Sequence, residues 1–194
     1  MSDTLLPAFS SMRGFGISGV PNGFCGGFAL LYANHHRPSV ANEGYSLSDD
    51  GARRLYQLQR ANGWCASNGA QNIYGNYNTL KKIATGTHKL IDYGAFNLQS
   101  FHADLHTYAG NRAIIVEWAN GQAFPGNEVG LQYHFSTCGG ISTDKLVEGL
   151  IGGYAFGDDD WSGNVWPAAP NPPVWHDWPT IVRAVPIAYI VCEV

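Results

Sequence analysis

The sequence predicts an α+β fold in which N-terminal helices pack on an antiparallel β-sheet. Helix signals crowd the first part of the chain, and runs of β-branched residues follow them. This order is expected of an α+β domain, and a length of 194 residues suits one sizeable core. We therefore predict a single domain over residues 1–194, with a mainly helical half at 22–110 and a mainly β half at 111–194.

Capping residues mark where the predicted helices begin. Residues 23–34 indicate a turn that runs into an apolar helix, which places Cys25 in the first helical turn. Three further helices are predicted after capping residues: 49–62 after Ser48, 79–84 after Asn78, and 98–110 after Asn97.

The second half of the chain has the composition of a sheet. Four runs rich in β-branched and aromatic residues predict strands at 113–118, 131–138, 150–156 and 187–192. Before the last of these runs, residues 161–186 are rich in Pro and Trp. We predict that this segment is an irregular arm on the surface, because it lacks periodic apolar residues.

Charge and hydropathy exclude two classes of partner. The formal net charge of −4 offers no electrostatic footprint for nucleic acid, and no Lys/Arg run suits anionic lipid. The first residues lack a basic segment followed by a long apolar stretch, and no apolar run approaches the ~20 residues that span a bilayer. We expect no nucleic-acid partner, no membrane association, and a protein that is cytoplasmic or exported by a dedicated route.

The cysteines are expected to be free thiols. Four of them stand too far apart for the disulfide framework of a small secreted domain, and no CxxC pair indicates structural zinc: Cys25, Cys65, Cys138 and Cys192. Cys25 has the most reactive context, since the positive end of a helix favours a thiolate. Gly26 and Gly27 would leave the backbone beside it open to a substrate carbonyl. The alternative for Cys25 is a small buried residue at a helix start.

A base and an acid follow in the β half. His134 lies in an aromatic and apolar strand, and the next predicted strand ends in the acidic run Asp158 to Asp160. If these strands are neighbours, the imidazole can bond a carboxylate, which gives the base and the orienting group that a cysteine nucleophile requires. The alternatives are a hydrogen-bonded core histidine and, for the acidic run, a solvated turn or a cation site.

These residues, in this order, resemble the papain-like cysteine peptidases. The likeness spans residues 22–160 and is closest to the bacterial branch related to bacteriocin-processing peptidases; residues 115–135 also resemble bacterial and phage proteins of this kind. The resemblance implies that Cys25 is the nucleophile, His134 the general base and Asp158 the residue that orients His134. Asp159 and Asp160 are the alternatives for the orienting acid.

Two departures from the family pattern leave details open. The family places a Gln several residues before the nucleophile to complete the oxyanion hole, whereas this chain has Gly19 and Val20 there, with Asn22 as a substitute. The interval from His134 to Asp158 is also longer than usual, which implies an insertion at 141–149.

The residues and the resemblance together predict a cysteine-dependent amide-bond hydrolase, either a peptidase or a peptidoglycan amidase or endopeptidase. Its substrate would be a peptide, a protein or peptidoglycan, and no cofactor is implied. The same triad could deamidate a protein glutamine or transfer an acyl group. A non-catalytic module that binds peptide or glycan is the alternative from another class, and the sequence leaves the oligomeric state open.

Other residues offer competing sites. Cys65 is a rival nucleophile, although it follows a helix rather than beginning one. His102 and His106, one helical turn apart, could share a metal ion, but no further ligand can be named, and the polar side of a helix is the alternative. Cys138 could border the site, because it would lie on the same strand face as His134. Cys192 is expected in the core. Four tryptophans could line a binding groove or anchor the arm: Trp161, Trp166, Trp175 and Trp178.

Overall fold

The computed structural model describes residues 4–5, 12–13, 16–36, 44–124, 132–142, 153–157, 159–160 and 174–194. The helices in these ranges are α1 (Cys25–His35), α2 (Asp49–Ala61), α3 (Ile73–Ile83), α4 (Leu98–Tyr108) and α5 (Trp178–Ala184), with a 3-10 turn at Gly121–Ala123. The strands are β1 (Thr4–Leu5), β2 (Met12–Arg13), β3 (Lys89–Ile91), β4 (Ile114–Trp118), β5 (His134–Ser142), β6 (Gly153–Gly157), β7 (Asp159–Asp160), β8 (Val174–Asp177) and β9 (Pro186–Val191). The predicted α+β class is confirmed.

The main sheet is antiparallel, with the strand order β3, β9, β4, β5, β6, β8. The short strand β1 pairs with β5 opposite Gly140 and Ile141. A separate parallel pair joins β2 to β7, which consists of Asp159 and Asp160. The acidic run is thereby paired with a segment close to the N-terminus.

Helices cover both faces of the main sheet, so the domain has three layers. On one face, α1, α2 and α3 pack on alternate strand residues such as Ile115 and Phe135. On the other face, α4 and α5 pack on the intervening residues, such as Val116 and Trp118. This alternation is the two-residue period of strands that are buried on both faces. We call the two faces the α1 side and the α4 side.

The helix that begins at Cys25 lies deep in the domain. Every residue from Gly26 to Asn34 is buried. Apolar side chains surround the whole helix, as expected of a helix enclosed by other elements. The hydroxyl of Thr137 on β5 donates a 2.7 Å hydrogen bond to the carbonyl oxygen of Ala29, so α1 is fixed directly to the sheet.

Two of the three predicted capping residues begin their helices. The side chains of Ser48 and Asn97 accept hydrogen bonds from the N–H groups of Gly51 and Ser100. The prediction that Asn78 caps the third helix is wrong. None of the helices in the described ranges is long and apolar enough to cross a membrane.

The third helix begins at Ile73, five residues before the predicted cap, because Asn72 accepts a hydrogen bond from the N–H of Gly75. Gly75 and Asn76 have low helix propensity, which hides this start in the sequence. Both are buried here, and Asn76 bonds to other side-chain amides in the core. Tertiary contacts thus outweigh local propensity in α3.

The predicted irregular arm contains two regular elements. Residues 161–173 lie outside the described ranges, but 174–186 include β8 and α5. The carboxylate of Asp177 accepts a 2.8 Å hydrogen bond from the N–H of Thr180, and Pro179 stands in the first turn of α5. Asp followed by Pro in this way is a helix start signal, and the Trp and Pro content concealed it.

Candidate active site

Cys25 is the first residue of α1, as predicted, and its thiol is partly exposed. The preceding residue, Phe24, contributes no side-chain cap, and no acidic residue stands in the first helical turn. The positive end of the helix dipole therefore acts on the thiol without a competing anion from that turn. This is the electrostatic setting that a cysteine nucleophile requires.

The two glycines after Cys25 do not leave the backbone open, contrary to the expectation from the sequence. Both are buried. The side-chain amide of Gln71 occupies the space that a Cβ atom on Gly26 would fill, and the ring of Phe24 does the same at Gly27. The glycines are needed because neighbouring side chains pack tightly on the helix backbone.

Gln71 belongs to a cluster of amides between α1, α2 and α3. Its Nε2 group donates a 3.1 Å hydrogen bond to Oδ1 of Asn76. The buried Nε2 group of Gln59 donates to Oγ1 of Thr79 at 3.0 Å. One hydrogen of the Gln71 amide group is left for another acceptor beside the first turn of α1. No local pattern in the sequence pointed to Gln71, because the loop before α3 brings it there from far along the chain.

His134 is the first residue of β5 and is 1% exposed. Along β5, Phe135 and Thr137 point to the α1 side, whereas Ser136 points to the α4 side, where its hydroxyl accepts a hydrogen bond from the indole N–H of Trp118. Alternation assigns His134 to the α4 side, opposite Trp118. The hydrogen bonds among the described residues do not include one between His134 and Cys25.

The acidic run is only partly described. Asp158 lies outside the described residues. Asp159 and Asp160 form β7, whose Cα atoms come within 8 Å of Cα atoms of α1. The fold therefore brings the run to the helix that carries Cys25.

The other three cysteines are buried. Burial raises the pKa of the Cys65 thiol, although the nearby charge of Arg60 opposes this. Burial raises the pKa of Cys138 to about 12, and this thiol donates to the carbonyl of Gly140 in the core on the α4 side. Cys192 is in the core, as predicted. Exposure and helix position therefore single out Cys25.

A buried carboxylate, Glu117, lies on the same side of the sheet as Cys25 and is 4% exposed. Its Oε2 atom accepts hydrogen bonds from the hydroxyl of Tyr93 at 2.6 Å and from the N–H of Ile73 at 2.9 Å. Burial raises the pKa of Glu117, while these two bonds oppose the rise. The carboxylate fixes the start of α3, and with it the loop that carries Gln71.

A groove of about 730 Å³ opens beside this loop. Its walls offer amides, aromatic rings and one cation: Arg60, Trp64, Gln71, Asn72, Tyr74 and Asn78. Gln71 belongs both to the groove and to the contact with Gly26. The lining also includes the rival nucleophile Cys65 and no residue of α1, so Gln71 is the link between the groove and the first turn of α1.

The two tryptophans of the arm that the structure describes do not form a shared groove. Trp175 packs on the α1 side and Trp178 on the α4 side, so the sheet separates them. Trp161 and Trp166 lie outside the described residues. Of the two alternatives from the sequence, a groove lined by these rings therefore does not hold for the described pair. They anchor β8 and α5 to opposite sides of the sheet.

Comparisons of the chain with protein-family models, with curated proteins and with solved structures found no match.

Proposed function

We propose that the protein is a cysteine-dependent amide-bond hydrolase of papain-like design, with Cys25 as nucleophile and His134 as its base. One observation carries the proposal: Cys25 is partly exposed at the uncapped start of a buried helix, whereas the other three cysteines are buried. A free thiol in this position is poised to react with an electrophilic carbonyl.

In the proposed reaction, the Cys25 thiolate attacks the amide carbonyl and forms a tetrahedral oxyanion. The oxyanion collapses to a thioester as the protonated His134 gives its proton to the leaving amine. His134 then removes a proton from water, which attacks the thioester and releases the acid and the Cys25 thiolate. The steps return the enzyme to its starting state and need no cofactor.

The position of His134 depends on the packing of α1 along β5. The contact between Thr137 and Ala29 gives a reference point. Cys25 lies about 6 Å from it along the helix, and His134 about 10 Å from it along the strand. His134 lies on the α4 side, whereas Cys25 lies on the α1 side, so the proposal requires the imidazole to turn past the first residue of β5. This movement of the ring is part of the proposal.

The orienting acid would come from the run at 158–160. The register of β5 with β6 sets Thr137 opposite Gly157. Beyond this pair, Asp159 and Asp160 leave the main sheet and pair with β2. The proximity of β7 to α1 supports an acid from this run. We keep Asp158, the residue that the family resemblance implies, with Asp159 and Asp160 as its alternatives.

Gln71 is the better supported donor to the oxyanion. Its amide packs on Gly26, directly after the nucleophile, and has a hydrogen that Asn76 does not use. Asn22, the candidate from the sequence, is exposed, and its Oδ1 atom accepts from the N–H of Gly16 at 3.4 Å. Gln71 would complete the oxyanion hole together with the backbone N–H of Cys25.

The groove beside Gln71 indicates the kind of substrate. Amide side chains can pair with peptide groups, and the rings of Trp64 and Tyr74 can stack on planar or sugar groups. A peptide, a protein segment or the peptide and glycan parts of peptidoglycan fit this lining. Glutamine deamidation and acyl transfer would use the same residues.

A binding module is the second candidate function, and the groove is the observation that favours it. A module would hold the same ligands without reaction. The two functions differ in the need for the thiol, because replacement of Cys25 would leave binding to the groove unchanged.

Turnover with matched cysteine variants tests the proposal. Peptide, casein and peptidoglycan substrates are incubated with the wild type, with C25A and with C65A as the control, and new termini are identified by mass spectrometry. We expect turnover by the wild type and C65A, and none by C25A. Equal turnover by C25A, or no turnover with retained ligand binding, would overturn the hydrolase assignment.

A further inference from the structure

A polar cluster on the α4 side lies apart from the cysteine chemistry. His102 and His106 stand one turn apart on α4, and their Nε2 atoms are 3.3 Å from each other. The hydroxyl of Tyr154 on β6 is 2.9 Å from Nε2 of His106. The ring of Trp178 covers His102, with centroids 4.1 Å apart. Nε2 of His106 thus has two polar neighbours, one from α4 and one from β6.

Hydrogen bonds alone satisfy this cluster poorly. An imidazole nitrogen has either one hydrogen or one lone pair. Nε2 of His106 faces two partners, His102 and Tyr154, so it can make a full hydrogen bond with only one of them. A cation could instead be bound by a lone pair from each imidazole.

The separation of the two imidazole nitrogens suits a tetrahedral metal ion. Zinc binds imidazole nitrogen at 2.0–2.1 Å, so two ligands of one tetrahedral ion stand about 3.3 to 3.4 Å apart. The Nε2 atoms of His102 and His106 have this separation.

We propose that His102, His106 and Tyr154 form a site for a divalent transition metal, with zinc as the preferred ion. The two imidazoles are the principal ligands, the hydroxyl of Tyr154 is a weaker third, and water completes the shell. The described residues contain no group of three His, Cys, Asp or Glu that could hold a metal. The tyrosine therefore completes a ligand set that histidine spacing alone leaves unfinished.

The site would fasten α4 to the sheet. Tyr154 lies in β6, whereas the single carboxylate of α4 is engaged elsewhere, since Asp104 accepts from Lys89 and Tyr189, each at 2.6 Å. His106 and the neighbouring Ala103 are exposed, so an ion can enter from solvent. The site is on the opposite side of the sheet from Cys25 and does not depend on the proposed hydrolase.

Metal titration of the full chain tests this proposal. Protein stripped with a chelator is titrated with zinc by calorimetry, and the visible spectrum of the cobalt-loaded protein reports the geometry. H102Q and H106Q remove the principal ligands, Y154F removes the third, and H35Q removes an exposed imidazole on α1 as the control. Circular dichroism and the Tm of each metal-free variant establish that it is folded.

We expect one zinc ion per chain, an intense four-coordinate cobalt spectrum, and a Tm that rises with zinc concentration. H102Q and H106Q should each weaken binding at least tenfold, Y154F should weaken it less and change the cobalt spectrum, and H35Q should bind like the wild type. Absence of saturable binding, or binding that both histidine substitutions leave unchanged, would overturn the proposal.

Discussion

The side-chain amide of Gln71 lies where a Cβ atom on Gly26 would be, so the loop before α3 closes over the first turn of α1. The position of Cys25 is therefore fixed by a residue far away in the sequence. The same amide lines the groove that we propose for substrate. Packing and the proposed contacts with the oxyanion and the substrate thus meet at one side chain.

We predict that G26A destabilises the fold by about 1–3 kcal/mol, because the new methyl group collides with the Gln71 amide. In the Q71A background the same substitution should be neutral or stabilising by up to ~1 kcal/mol, since alanine has the higher helix propensity. Urea unfolding of the four proteins of this cycle measures the coupling.

One outcome of the G26A and Q71A mutant cycle would contradict the contact between Gly26 and Gln71. If G26A costs the same in both backgrounds, the amide does not occupy the space beside Gly26. Turnover gives a second readout. If Gln71 binds the oxyanion, Q71A should lower kcat by much more than its loss of stability can explain.

Removal of the Thr137 hydroxyl should loosen α1 from the sheet. T137V deletes the buried hydrogen bond to Ala29 and should cost about 1–2 kcal/mol in urea unfolding. It should also slow alkylation of Cys25 by changing the position of the helix. S136A is the matched control, because Ser136 bonds Trp118 on the α4 side. S136A should lower stability by a similar amount but leave Cys25 alkylation unchanged.

Glu117 should make stability depend on pH in a defined direction. Burial raises the pKa of Glu117, so the folded protein holds this proton to higher pH than the unfolded chain does. The resulting stability is complete below the unfolded pKa of about 4.3 and is lost as pH rises through the folded value. E117Q has no titratable proton at this position. Its free energy of unfolding should therefore rise relative to that of the wild type as pH rises from about 4 to 7.

Urea unfolding across this pH range measures the effect of Glu117. In Y93F, Glu117 loses one of the two hydrogen bonds that lower its pKa. The fall in stability with rising pH should therefore extend to higher pH than in the wild type. A constant difference between wild type and E117Q at every pH would show that Glu117 has the same pKa in both states.

The sequence predicted those features that depend on local chemistry. Ser48 and Asn97 cap their helices because capping needs only one side chain and the next turn. Cys25 begins α1 for a similar reason, since a glycine-containing turn precedes an apolar run. Asn78 is not a cap because the helix begins earlier: the core contacts of Asn76 outweigh the low helix propensity of that residue.

The faces of the sheet and the neighbours of each site could not be predicted from the sequence. Periodicity shows that β4 is buried but not that α4 covers one of its faces. Gln71 reaches Gly26, and Tyr154 reaches His106, through tertiary packing that no local pattern encodes. The third ligand of the proposed metal site therefore emerged only from the fold.

The buried cysteines should react in a defined order. Burial raises the pKa of Cys65, so its alkylation should require more alkaline pH than that of Cys25. Cys138, with a pKa of about 12 in the core, should react only when the protein unfolds. Peptide mass spectrometry after timed iodoacetamide treatment, with and without urea, measures both. Rapid alkylation of Cys138 in the native protein would contradict the core position of this thiol.

The pH dependence of Cys25 alkylation, followed by peptide mass spectrometry, tests the central claim most directly. Wild type, H134Q and H176Q are compared, because His176 is a second buried imidazole that serves as the control. We predict that wild type and H176Q are labelled at Cys25 well below pH ~8.5, where a free thiol ionises, and that H134Q loses this labelling. Inert Cys25 in the native protein, or an H134Q profile identical to that of the wild type, would contradict the proposed Cys25 and His134 pair.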